Sequence, residues 1–188
     1  MCYPAQNILP LLSFCLNPPC LISQYMENGS LRRKLKDQKY PLSWAQRLNI
    51  ALGVSRGLRH LHEHDIVHGD IKSDNILLDK HLEPKIGDFG SANFLYSHQT
   101  HTIVQHLVGT KQYLPKWYQI GRTEVSVRKP VDIYSFGIVL LEILSDRLAS
   151  TITRNQETLR DFIDNHIEKF DEPTTFENDY PSAGLDFG

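Results

Sequence analysis

Between Val131 and Leu144 the chain reads VDIYSFGIVLLEIL, and this stretch constrains the fold more than any other. A helix that is apolar on nearly every side must be surrounded, so it belongs at the centre of a core and not on its surface. Its most apolar part, Ile133–Leu144, is too short to span a bilayer and runs into Glu142. The rest of the chain therefore has to supply the surround. Ser43 and Gln46 form a capping-box pattern ahead of a second helix. Trp44, Leu48, Ala51, Val54, Leu58 and Leu61 then recur at helical spacing through His62, which predicts one buried face and one wet face. Ser30 is the expected N-cap of a short helix, Leu31–Leu35.

The amino-terminal stretch is of another kind. The first 26 residues carry no charged side chain. A signal peptide would need a basic n-region, and Pro10, Pro18 and Pro19 interrupt the apolar run. Two short buried strands, Ile8–Cys15 and Cys20–Met26, joined by turn chemistry at Asn17-Pro18-Pro19, account for it better. Ile66 to Gly90 alternates short apolar pieces with Gly and Asp, which predicts loops and short strands. From Ser91 to about Gly121 no period is visible, as expected of a functional loop. Leu159, Phe162, Ile163 and Ile167 predict one more amphipathic helix. Residues 171–188 hold five acidic residues and no Lys or Arg, so a poorly ordered tail is expected there.

A chain of 188 residues suits one domain or part of a larger one. Its net charge of −2 gives no bulk electrostatic grip on nucleic acid or an anionic membrane. Three cysteines (Cys2, Cys15 and Cys20) are too few and odd in number for a disulfide framework, and they fit a reducing compartment. Cys15 and Cys20 lack a second Cys/His pair at metal-ligand spacing.

The chemistry concentrates in His68-Gly69-Asp70-Ile71-Lys72-Ser73-Asp74-Asn75 and in Asp88-Phe89-Gly90. Magnesium takes oxygen ligands, commonly one or two carboxylates beside phosphate oxygens, and Asn75 and Asp88 supply that chemistry. Asp70 is suited to accept a proton from a hydroxyl nucleophile. Lys72 is suited to neutralise charge on a transferring phosphoryl group. Asp, Asn and Gly also favour plain turns, so residue types alone leave both readings open.

Order and spacing separate them. The segment resembles the protein-kinase catalytic loop, H-R-D-L-x-x-x-N, followed by D-F-G. His68, Asp70, Asn75, Asp88, Phe89 and Gly90 match in order, where each fixed position would match by chance roughly one time in twenty. The resemblance implies an α+β protein-kinase-like fold, mainly the helical large lobe, with the hinge and the last small-lobe strands at about residues 8–26 and the large lobe over 27–170. It implies ATP and Mg²⁺ as cofactors, Asp70 as catalytic base, Lys72 beside it, and Asn75 and Asp88 as metal ligands. It places Ser23 as gatekeeper, the backbone of Gln24 and Met26 against adenine, Leu77 beneath the base and Ser30 at the ribose. His68 and Phe89 would pack in an internal apolar column that Gly90 follows. Gly109-Thr110 resembles the start of the substrate-docking loop, and Asp132 would hold the catalytic-loop backbone. Lys72, two residues after the base, is the serine/threonine pattern.

The wording VHGDIKSDNILLD (Val67–Asp79), PKIGDFG (Pro84–Gly90), GTKQYLP (Gly109–Pro115) and DIYSFGIVLLEI (Asp132–Ile143) is most similar to the Pelle and interleukin-1-receptor-associated kinase group. That resemblance implies protein substrates, receptor-proximal signalling of the innate-immune type, a cytoplasmic location, and an adaptor engaged through regions outside this chain. It implies neither nucleic-acid binding nor membrane insertion.

Three departures accompany it. The chain holds no Gly-rich loop, no strand Lys in a V-A-I-K context and no partner Glu on a preceding helix, so weak ATP binding by this chain alone is expected. Gly69 replaces the usual Arg, which normally pairs with a phosphorylated loop residue. Lys116-Trp117 stands where an A-P-E-like Glu is expected. Two rival readings follow. One is a catalytically inactive pseudokinase or a truncated scaffold that competes for partners. The other is a small-molecule phosphotransferase of the aminoglycoside or choline type, which shares the HGD triplet but not the docking-loop and central-helix matches.

Overall fold

The computed structural model describes residues 6–95, 101–104, 109–115, 118, 125–150 and 159. A hairpin opens the described chain: β1 (Leu11–Leu16) and β2 (Pro19–Ser23) pair antiparallel, with Cys15 opposite Cys20. The short pair Gly29–Ser30 (β3) leads into α1 (Leu31–Leu35), and α2 (Trp44–Glu63) follows. Next come β4 (Ile66–Val67), β5 (Ile76–Leu78), β6 (Pro84–Ile86) and β7 (Asn93–Phe94). Then β8 (Thr102–Val104), β9 (Val125–Val127) and α3 (Lys129–Ser145) complete the order. The strands form small antiparallel ladders, β3-β5-β6, β4-β7 and β8-β9, beside the hairpin.

Local chemistry sets the helix starts. The Ser30 side chain accepts from Arg33 N at 3.3 Å, and Leu31 and Leu35, one turn apart, are both buried. At α2, Gln46 N donates to Ser43 Oγ at 3.3 Å and Ser43 N donates to Gln46 Oε1 at 2.9 Å, closing the capping box. Pro130 occupies the first turn of α3, where its missing N–H leaves no helical bond unmade.

Three sequence expectations change in the fold. The buried face of α2 is turned from the one the apolar spacing suggested. Trp44 and Leu48 are exposed, whereas Arg47, Ile50, Gly53, Val54, Gly57, Leu58 and Leu61 are buried. The glycines explain the turn: a Cβ on Gly53 would lie 2.4 Å from Pro84 Cγ, and one on Gly57 would lie 2.8 Å from the Asn7 carbonyl. The helix is drawn onto β6 through positions that hydrophobicity does not mark.

The hairpin forms, but it is not buried; every residue of β1 and β2 is exposed. Two strands alone cover neither face of one another. Only the segment before the hairpin is fastened, by Leu9 N donating to Ile86 O at 2.8 Å and Ile86 N donating to Asn7 O at 2.9 Å.

The third change concerns α3. It reaches the core through Val131, Ile138, Val139 and Ile143, but Ile133 and Leu144 are exposed while Asp132, Ser135 and Glu142 are buried. The one large apolar cluster draws on α1, α2, β5, β6 and α3 together, and Leu159 joins it. The expected helix over Leu159–Ile167, apart from Leu159, lies outside the described residues, as do Trp117 and the acidic stretch 171–188.

No helix among the described residues is long and apolar enough to cross a membrane.

Candidate active site

The loop between β4 and β5 carries the site, and α3 holds it from beneath. Asp132, fully buried in the first turn of α3, accepts from His68 N at 2.8 Å and His62 Nε2 at 2.9 Å on Oδ2, and from Gly69 N at 2.8 Å on Oδ1. A buried carboxylate needs such donors to offset its lost hydration. One side chain thus fixes the backbone immediately before Asp70. Gly69 has φ 79, in the left-handed region, which glycine adopts without the cost of roughly 1–2 kcal/mol that a Cβ would bring.

His68 is wholly buried. Its Nδ1 accepts from Asp70 N at 3.3 Å, so Nε2 carries the hydrogen donated to Gly87 O at 3.0 Å. Burial holds this imidazole below its ordinary pKa, against the opposing pull of Asp132, Asp70 and Asp88, and it stays neutral. The Phe89 ring packs on it at 5.0 Å, although Phe89 as a whole is 37% exposed.

Around Asp70 the polar groups converge. Lys72 Nζ donates to Asp70 Oδ2 at 2.6 Å and to Thr110 Oγ1 at 3.0 Å, and Thr110 Oγ1 donates to Asp70 Oδ1 at 2.7 Å. Asn75 Nδ2 donates to the Asp70 carbonyl at 2.9 Å and to its Oδ2 at 3.2 Å. Burial pushes the Asp70 carboxyl up, but the Lys72, Thr110 and Asn75 contacts outweigh it and hold the group below the usual carboxylate range. Asp70 is therefore ionised and oriented.

Gly87 N donates to Asn75 O at 2.9 Å, which locks the loop bearing Asp88 to the catalytic loop. Asp88 has φ 61 and, among the described residues, accepts only a long bond from Gly90 N, at 3.4 Å, so its exposed carboxylate is available to a ligand. With the Asn75 amide nitrogen committed to Asp70, its carbonyl oxygen is the atom left for a cation. This oxygen set suits a hard ion such as Mg²⁺. Gly109, at φ 103, precedes Thr110; a Cβ there would lie 2.6 Å from Gly69 O, so only glycine lets the two loops meet.

The remaining candidate positions lie around the entrance. Ser30 pairs with Leu77 across β3 and β5, which puts those two side by side. The Ser30 hydroxyl serves as the α1 cap. Ser23 ends β2 opposite Leu11 and is exposed. Gln24 N donates to Pro10 O at 3.4 Å, and the buried Met26 accepts from Gly29 N at 3.0 Å.

Sequence reasoning missed a second buried network. Tyr113 Oη donates to Glu142 Oε1 at 2.7 Å and meets Ser73 Oγ at 3.2 Å, and Ser135 Oγ donates to Tyr113 O at 2.8 Å. Ala149 N donates to the same Glu142 oxygen at 2.7 Å, and Glu142 Oε2 is buried without a partner. Burial raises the Glu142 carboxyl above its ordinary range, and burial with the neighbouring Glu142 raises the Tyr113 phenol. The lone acid in an otherwise apolar run was the available signal, because such an acid needs a buried donor.

The family described as protein kinase domain matches residues 3–184 of the chain. The Pelle-like serine/threonine-protein kinase pik-1 of Caenorhabditis elegans is 43% identical over 170 residues, covering 83% of this chain and 34% of that protein. The leucine-rich repeat receptor protein kinase MSP1 of Oryza sativa is 44% identical over 149 residues, covering 75% of the chain and 11% of that protein. The chitin elicitor receptor kinase 1 of Physcomitrium patens is 44% identical over 151 residues, covering 76% and 22% respectively. The chain thus spans between 11% and 34% of the length of these curated relatives.

Proposed function

Because the chain belongs to the protein kinase domain family, we propose that it carries the phosphoryl-transfer site of a serine/threonine kinase that acts on protein substrates with Mg-ATP. The observation that supports this best is the Asp70–Lys72–Thr110 cluster, whose three bonds span 2.6 to 3.0 Å. Asp70, held ionised, orients a substrate hydroxyl and accepts its proton as the phosphorus–oxygen bond forms. Lys72 offers its charge to the transferring group from beside the base. Asn75 and Asp88 would hold the magnesium ion, which supplies charge neutralisation on the phosphates when bound. Asp132 acts through the backbone of His68 and Gly69 and is a positioning residue. Ser30 and Leu77, adjacent in one ladder, would flank ribose and adenine, with Ser23 and the backbone of Gln24 and Met26 at the hinge.

We further infer a cytoplasmic kinase working close to a receptor in signalling of the innate-immune type, with an adaptor bound outside this chain. The Pelle-like name of the nematode relative supports that reading. The decisive experiment is transfer of labelled phosphate from Mg-ATP to a generic protein substrate, followed by phosphoamino-acid analysis. Weak labelling of phosphoserine and phosphothreonine, in keeping with a chain that holds no Gly-rich loop or strand Lys, is expected, and Asp70→Asn should reduce it about 10²–10⁴-fold. No labelling, with partner binding intact, would instead leave the non-catalytic scaffold reading.

A further inference from the structure

Arg32, Arg33, Lys34, Lys36 and Lys39 follow within one short stretch beside the catalytic loop, in a chain whose net charge is −2. A charge run is ordinarily a solvated face, so what matters is which of these cations are already paired. The local carboxylates are committed. Asp74 pairs with Arg32 at 3.5 Å, Asp146 is held by Arg47 at 2.7 Å, and Asp37 takes Lys34 at 3.5 Å and the N–H groups of Lys39 and Tyr40 at 3.1 Å. Arg33 and Lys36 are exposed, and neither has a carboxylate partner among the described residues. The anions of this face are used within the fold, and the surplus cations are not.

Their placement gives the surplus a direction. Arg33 and Lys36 stand three residues apart on α1 and its cap, which makes them neighbours on the helix surface. Arg32 touches the catalytic loop through Asp74, four residues after Asp70, and Arg32 N donates to Ser73 O at 3.0 Å. Beyond Lys36 the surface opens into a groove of about 410 Å³, where Lys34, Lys36 and Arg147 stand beside Asp37 and Asp146, the two carboxylates already engaged by Lys34 and Arg47. The two surplus cations therefore lie on the helix that docks on the loop after Asp70, with Lys36 at the edge of an open groove.

We propose that this face selects protein substrates that carry acidic residues close to the acceptor hydroxyl, with the acceptor at Asp70 and the acidic run along Arg33 and Lys36 toward the groove. The inference rests on the phosphotransfer reading above, so the test has one arm that does not. Charge complementarity of this kind acts mainly on encounter and on KM, and it weakens with salt.

The full chain is compared with Arg33→Glu/Lys36→Glu, two exposed positions outside the reacting groups, after matched melting curves. Serine peptides that differ only in a run of aspartates or of asparagines beside the acceptor serve as substrates. We expect KM for the aspartate peptide to be about tenfold lower, with kcat unchanged, and the gap to close with salt and in the double variant. The asparagine peptide should not respond to the variant. Equal KM values for the two peptides, or a preference that survives charge reversal, would overturn the proposal. Should no peptide be phosphorylated, anisotropy of a labelled aspartate peptide lacking the hydroxyl still decides. Binding lost in the double variant upholds the docking face while the catalytic reading fails; binding equal in both proteins ends the proposal.

Discussion

The hairpin Leu11–Ser23 and the bed of the catalytic loop invert the usual rule of inside and outside. Leu12 and Phe14 of the hairpin are more than 60% exposed, at 64% and 62%, whereas Asp132 and Glu142 are wholly buried. The difference lies in partners and not in side-chain type. Asp132 meets three donors within 2.9 Å, so its lost hydration is replaced bond for bond. The hairpin has only its own two strands, and apolar area with no second layer stays in water. The bed of the site is polar, and Asp132 within it is fully satisfied, so its stability should depend on single atoms. The hairpin should tolerate change.

The largest effect is expected where the buried cage is emptied. Asp132→Ala leaves the N–H groups of His68 and Gly69 and the His62 ring without their acceptor. Loss of one side of a buried charged network costs about 3–5 kcal/mol. Urea unfolding of the chain measures it, and a change below about 1 kcal/mol would mean that water replaces the carboxylate readily. On the proposed function, phosphate transfer should also fall, because His68 and Gly69 precede Asp70 and the proposed base would be misplaced and not lost.

Next comes the second buried network. Tyr113→Phe removes one of the two donors to Glu142 Oε1 and a partner from Ser73, a cost of about 1–3 kcal/mol. The same denaturation measurement tests it. Agreement with Asp132→Ala in direction, at smaller size, would show that both polar anchors of α3 are structural.

Glu142→Gln sharpens the comparison by pH. The Glu142 carboxyl is raised by burial, so the folded protein holds a proton that the unfolded chain releases above the ordinary carboxyl range. Stability therefore falls as pH rises from that range toward the folded value. Glutamine keeps an oxygen for Tyr113 and Ala149 and carries no charge. Melting temperatures across this window should show the wild-type chain losing ground to the variant as pH rises. Parallel curves would mean that Glu142 is ionised in the fold and that Oε2 has found a partner.

Much of this arrangement was legible in the sequence, and the failures share one cause. Caps are local, so Ser30, Ser43 and Gln46 announced α1 and α2 correctly. The stretch His68–Asn75 and Asp88–Gly90 stood out by order and spacing within short loops, and the structure brings Asp70, Lys72, Asn75 and Thr110 together. Burial is not local. Trp44 and Leu48 fit an apolar stripe yet are exposed, because Gly53 and Gly57 decide which side of α2 meets β6. Glu142 marked only the end of an apolar run until Tyr113, distant in sequence, was placed against it. The clamp of Asp132 on His68 and Gly69 spans more than sixty residues of chain, and periodicity carries no trace of His62 as its third donor.

The smallest expected effect tests the other half of the comparison. Phe14→Ser removes a large apolar side chain, and in a core that would cost several kcal/mol, about 3–5 for Phe→Ala. On this hairpin the ring is already in water, so truncation forfeits almost no buried area, and the cost should stay within about 0.5 kcal/mol. The measurement is the same urea titration used for Asp132→Ala, so the two regions are read on one scale. A loss above about 1 kcal/mol would show that Phe14 is covered in solution, with a self-association of copies through the hairpin as the first cause to check by varying protein concentration. The expected null result would leave the hairpin as an apolar surface that this fold carries without using it for its own stability, while the polar bed of the site does the holding.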